Sequence, residues 1–138
     1  MKARIKWKDG ASFLAKSGSG YSVLMDGPPE AGGRNSGPRP MEMLLMGTGG
    51  CAAFDVVLIL KKSRQEIRGC EVEIEAERAS QEPKVFTRIH FHFILTGKEL
   101  NPKQVERAIN LSAEKYCSAS IMLGKTAELT HDFEIIEV

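Results

Sequence analysis

The chain reads as a segregated α+β fold, and three observations predict it. Strand patterns and helix patterns are not regularly alternated: three short strands come first, then a long helix, two strands, a second helix and a last strand. The strand segments repeat their apolar residues with period two, whereas the second helix repeats them along one face. The length of 138 residues suits a single domain, which hides roughly two thirds of its unfolded surface.

The elements follow in order. Residues 2–8 alternate Ala3, Ile5 and Trp7 with Lys2, Arg4, Lys6 and Lys8, the pattern of a half-buried strand. Asp9-Gly10 turns the chain, residues 11–16 read as a second strand, and Tyr21 to Asp26 as a third, so residues 1–26 form a small meander. Residues 27–39, GPPEAGGRNSGPR, are rich in glycine and proline and predict a flexible loop. Pro40 suits the first turn of a helix over 40–62. Met43 to Leu60 is apolar on nearly every side, which predicts a helix buried all round, with Lys61, Lys62 and Arg64 at its C-terminal end.

Residues 70–96 read as a hairpin. Val72, Ile74 and Ala76 alternate with Glu71, Glu73, Glu75 and Glu77, SQEP turns the chain, and Ile89, Phe91, Phe93 and Leu95 alternate with Arg88, His90 and His92. Asn101 caps a second helix over 102–117, with Pro102 at its first position and an inward stripe of Val105, Ala108, Ile109, Ala113 and Tyr116 ending at Cys117. Residues 126–138 form the last strand, with Leu129, His131, Phe133 and Ile135 on one face.

Composition narrows the function. A hydrophobic content of 42%, a charged content of 27% and a net charge of +1 provide no field that would gather nucleic acid or an anionic lipid surface. The N-terminus, MKARIKWKDG, has no apolar run of the kind found in signal peptides, so the chain is expected to be cytoplasmic. Met41 to Leu60 approaches the length that crosses a bilayer, but Asp55, Thr48 and three glycines argue against a membrane span. Three cysteines at wide spacing make no disulfide framework and are expected to rest as thiols.

The candidate chemistry lies in GTGGCAAFDVVLILKK, residues 47–62. Glycine costs a helix interior roughly 1 kcal/mol relative to alanine, so Gly47, Gly49 and Gly50 beside Cys51 call for a compensating close approach by another helix or a ligand. Cys51 then reads either as a packing residue or as an accessible sulfur. Cys117 is too distant in sequence for a metal knuckle, spacing alone does not pair it with Cys51, and Cys70 reads as a small apolar filler. Asp55, four residues after Cys51 on the same helical face, needs a hydrogen-bonding or ionic partner, in a structural or a supporting catalytic role. Glu42 places a favourable charge at the helix N-terminus. His90 and His92 with His131 raise a three-histidine metal site, against which the first two read as solvent-facing and no metal is expected.

PMEMLLMGTGGCAAFDVVLIL followed by SAEKYCSAS resembles the OsmC/Ohr family, and the similarity runs over essentially the whole chain. The resemblance implies an OsmC-like fold, with antiparallel sheets packed around two central helices, in an intertwined homodimer with active sites at the subunit interface. It implies reduction of organic hydroperoxides, with Cys51 as the attacking thiol and Cys117 as the resolving one. A dithiol reductant such as a lipoylated protein regenerates the thiols, and no metal, haem or flavin cofactor is implied. Peroxidase members use an arginine from the N-terminal strand region, held by a glutamate at the start of the central helix, which brings in Glu42. The segment GASFLAKSGSGYS contains no arginine, which leaves Lys16, Arg34 or Arg39 as the cation. The alternative readings are a non-catalytic dimer binding a small hydrophobic ligand, and a cysteine-based hydrolase or transferase.

Overall fold

The computed structural model describes residues 1–138, and the fold is α+β with two three-stranded sheets. Its contacts group the chain into two compact units, Met1–Met46 and Gly47–Val138. In the first unit, β1 (Ala3–Asp9), β2 (Ser12–Ser17) and β3 (Ser22–Met25) form an antiparallel sheet in chain order. Trp7 lies opposite Phe13, and its indole N–H donates to the Gly10 carbonyl at 3.0 Å. The half-buried β1 of the sequence reading is corrected: the whole strand is exposed, Trp7 at 62%. Alternation sorts residues onto two faces, but it does not supply the cover that one of them needs.

Residues 27–39 are more organised than their composition suggests. The buried carboxylate of Asp26 accepts the backbone N–H groups of Gly27 (2.7 Å), Arg34 (3.0 Å) and Ser36 (3.2 Å), and the Ser36 hydroxyl at 2.5 Å. These donors, the Ser36 hydroxyl foremost, hold its pKa far below the usual carboxylate range. One side chain thus ties down a loop that has almost no apolar residues of its own.

Helix α1 (Pro40–Lys62) starts in the first unit and continues in the second. Thr48, Ala52, Val56 and Leu60, spaced four apart, are buried along one face, while Leu44, Met46, Phe54 and Leu58 are exposed. The expectation of a helix buried all round is therefore corrected to one covered face and one open apolar face. By length and composition α1 is apolar enough to cross a membrane, with mean hydropathy 2.0, and 28% of that apolar window is buried within the chain.

In the second unit, β4 (Glu66–Arg78) and β5 (Phe86–Lys98) form a long antiparallel pair. The last strand, β6 (Glu128–Glu137), pairs with β5 in parallel, so this sheet is mixed rather than wholly antiparallel as expected. The physical reason is the connection, since a helical segment between β5 and β6 carries the chain back to the start of β5. That segment is α2 (Pro102–Leu111), a π-helical turn (Ser112–Tyr116) and α3 (Ser118–Leu123). The Asn101 side chain caps α2 by accepting the Lys103 N–H at 2.9 Å. Val56, Leu60, Ile89, Leu95, Val105 and Ile109 are core residues of this unit.

The single helix expected over 102–117 is thus α2 followed by a wider turn, and a further short helix, α3, comes after Cys117. The π turn alters the angular step, takes Tyr116 off the inward stripe and leaves it half exposed. Cys117 leaves helical geometry at φ −79° and ψ 95° and stands immediately before α3.

Candidate dithiol site

The site is built where α1 faces the break between α2 and α3. Cys51 and Asp55, one turn apart on α1, are both half-buried, and Cys117 is fully buried. The two sulfurs and a carboxylate oxygen of Asp55 all lie within 4.8 Å of one another. Cys51 and Cys117, far apart in the chain, are therefore brought together, and Asp55 joins them.

Each of the buried polar atoms has a partner. The Ser112 hydroxyl, at the start of the π turn, donates to Asp55 Oδ2 at 3.1 Å. The Cys117 sulfur accepts from the Ser120 N–H at 3.4 Å and from the Ser120 hydroxyl at 3.0 Å, and lies 4.0 Å from the Thr48 carbonyl oxygen. Burial pushes the Cys117 thiol up, the two Ser120 donors act in the opposite direction, and the neighbouring Cys51 raises it further. Sequence reasoning missed both serines. A readable signal existed for Ser120, because Cys-x-x-Ser follows the spacing by which an N-cap side chain meets the third residue of a helix. None existed for Ser112, which meets Asp55 only through the fold.

The glycine cluster divides. A Cβ on Gly49 would stand 2.7 Å from Ile74 Cδ1 on β4, so its missing side chain serves packing between α1 and the sheet. A Cβ on Gly47 or Gly50 would meet nothing within 4 Å, and both glycines are exposed on the open side of α1. Beside the thiols, a cavity of about 280 Å³ is lined by Ala52, Phe91, Phe93, Ile109, Ser112 and Ser120 among others.

The remaining candidates have surroundings of their own. Glu42 sits in the first turn of α1, where Oε1 accepts the Arg39 N–H at 2.8 Å. Among the cation candidates, Arg34 pairs with Asp9 at 3.0 Å, Arg39 donates to Asn35 Oδ1 at 2.6 Å, and Lys16 is exposed on β2. Cys70, opposite Leu95 on β4, is half-buried, and burial pushes its thiol up, helped by Glu71. His90 and His92 face away from the thiols' side of the sheet. His90 contacts Thr130 and Asp132 at 2.6 and 3.0 Å, and His92 contacts Asp132 at 2.7 Å. His131 pairs in register with Phe91 and so belongs to the opposite face, which rules out a site shared by all three histidines.

An α+β fold carrying two juxtaposed, chemically inequivalent thiols defines a small dithiol protein. A family model described as OsmC-like protein matches residues 33–132, and the chain belongs to that family. Protein YhfA of Escherichia coli strain K12 is 50% identical over 139 residues, covering 99% of this chain and 98% of that one. A hypothetical protein from Aquifex aeolicus VF5 superposes with a TM-score of 0.87 at 29% identity, covering 99% of this chain and 96% of its own. The organic hydroperoxide resistance protein OhrB of Bacillus subtilis has the same fold, with a TM-score of 0.66 at 18% identity and coverage of 97% and 98%.

Proposed function

We propose that this chain is a cytoplasmic thiol-dependent peroxidase that reduces organic hydroperoxides in oxidative-stress defence. The observation that supports it most is the approach of the Cys51 and Cys117 sulfurs to within 4.8 Å of each other. The Cys51 thiolate attacks the terminal oxygen of the hydroperoxide. The O–O bond breaks, the alkoxide leaves and takes a proton as the alcohol, and Cys51 becomes a sulfenic acid. Cys117 then attacks that sulfur, water is lost, and a Cys51–Cys117 disulfide forms. A dithiol, such as a lipoylated protein, returns both thiols by exchange.

The half-exposed Cys51 suits the attacking role, and the buried, serine-bonded Cys117 suits the resolving one. Asp55 acts by orienting the Ser112 hydroxyl at the site, and Glu42 braces the start of α1 by accepting the Arg39 N–H. The cavity, with Phe91, Phe93 and Ile109 in its lining, takes the organic part of the substrate. The protein works as a homodimer, a reading supported by the open apolar face of α1.

The test treats the reduced protein with one equivalent of tert-butyl hydroperoxide and maps the products by peptide mass spectrometry. The expected product is a single Cys51–Cys117 disulfide, with Cys117→Ser trapping a sulfenic acid on Cys51. Untouched thiols would end this reading. The same cavity favours a second reading, a dimer that binds a hydrophobic molecule without turnover. That reading requires a retained ligand in native mass spectrometry and unreacted thiols.

A further inference from the structure

We propose that the reduced site binds a thiophilic divalent cation of the zinc class through Cys51 Sγ, Cys117 Sγ and an Asp55 carboxylate oxygen. Three ligand atoms from two separate helical segments already lie within 4.8 Å of one another. Bond lengths of about 2.3 Å to sulfur and 2.0–2.2 Å to a carboxylate oxygen put tetrahedral ligands roughly 3.5–3.8 Å apart. The side chains therefore close in by about 1 Å, a distance that small rotations about χ1 of two cysteines and an aspartate cover.

The surroundings match those of a metal site as well as its ligands do. Ligands of bound metals are held by hydrogen bonds from behind, which fix their orientation. Here the Ser112 hydroxyl donates to the Asp55 carboxylate at Oδ2, and the Ser120 N–H and hydroxyl both point at the Cys117 sulfur. Two thiolates and a carboxylate form a soft, anionic set that selects zinc or copper(I) over magnesium or calcium. Binding releases one proton from each thiol to solvent. Three protein ligands leave a tetrahedral ion one position for water.

The ion and the disulfide exclude each other. A bound cation holds the sulfurs at ligand separation, far beyond the roughly 2.05 Å of an S–S bond, and a disulfide has no thiolate to offer. The cation would thus occupy the reduced state alone and be expelled on oxidation. The geometry that carries this inference stands without the peroxidase reading.

The experiment titrates the reduced, chelator-stripped protein with Zn²⁺ against a chromogenic chelator, and with Co²⁺ while recording absorption. The expected result is one ion per chain, with an intense thiolate-to-cobalt band in the near ultraviolet and tetrahedral cobalt bands in the visible. Binding should be lost in Cys51→Ser, Cys117→Ser and the oxidised disulfide form, and fall at least tenfold in Asp55→Asn. Circular dichroism of each variant checks that it is folded, and the oxidised form gives a non-binding control without substitution. Zinc binding no tighter than in Cys51→Ser, or a cobalt spectrum without the thiolate band, would overturn the proposal. Disulfide formation by hydroperoxide in metal-free protein is measured separately, so either reading can fail while the other stands.

Discussion

Cys51 and Cys117 carry the same atom into different surroundings, and in the proposed cycle that difference sets the direction of exchange. There an incoming dithiol would reach the half-exposed Cys51 sulfur and expel the buried Cys117 sulfur as the thiolate. The Ser120 hydroxyl, 3.0 Å away, donates a hydrogen bond to that developing charge. A hydrogen bond to a charged group contributes about 1.5–3 kcal/mol, and the backbone N–H of Ser120 remains in the variant. Ser120→Ala should therefore slow reduction of the disulfide by dithiothreitol about tenfold while the disulfide still forms. An unchanged rate in stopped-flow thiol release would remove Ser120 from the chemistry. Cys51 and Asp55 were legible as neighbours because residues four apart share a helical face. That Cys117 joins them was readable only through the family resemblance, since spacing carries no information about contacts between distant segments.

At the scale of elements, alternation was the most readable signal and the helix break the least. The β4–β5 hairpin follows its period-two pattern, because each face meets one constant environment over many residues. The π turn after Leu111 inserts its extra residue within an ordinary helical composition, so nothing in SAEKY announced it. Loop 27–39 misled in the other direction: its glycines and prolines are real turn signals, but Asp26, the residue that orders them, looks like any strand-end aspartate. Asp26→Ala should speed proteolysis of this loop at neutral pH, and identical cleavage kinetics would refute its role as the anchor.

The outer face of β5 and β6 adds a pH dependence. The hydrogen bond from His92 to Asp132, with Glu134 and Glu73 nearby, raises the His92 pKa, and the same contact with that from His90 lowers that of Asp132. The His92 contribution is complete below its unfolded value of about 6.5 and is lost as pH rises through the folded value. The Asp132 contribution is complete above about 3.9 and is lost as pH falls through its lowered value. The pair therefore supports the sheet most between roughly pH 4 and 6.5. In Asp132→Asn the His92 titration followed by NMR should move down toward the free value, and an unmoved curve would assign the raised pKa to the other carboxylates.

For the whole molecule the question is what covers the open side of α1. Phe54 is 68% exposed, Met46 and Leu58 share the exposure, and Ile5 and Trp7 on β1 are uncovered as well. Exposed apolar residues on this scale mark an interface, and the chain supplies no cover for them itself. Within the chain the apolar run of Met43 to Leu60 is covered on one face only, and a second copy of the chain is the cover proposed for the other. Gly47 and Gly50 give the assignment a signed test. In a monomer, Gly50→Ala should add up to about 1 kcal/mol of stability, since the new methyl group meets nothing and alanine is the better helix former. Against a partner helix seated on that face the same methyl group is crowded, and the sign reverses. Phe54→Glu carries the argument further by placing a charge where a partner would bury an aromatic ring. Sedimentation equilibrium should find the unsubstituted protein dimeric and Phe54→Glu monomeric at micromolar concentration, with Gly50→Ala lowering the melting temperature of the dimer. A protein that is monomeric without substitution, or a Phe54→Glu variant that remains a dimer of undiminished stability, would show that α1 is covered by something other than a second copy of this chain.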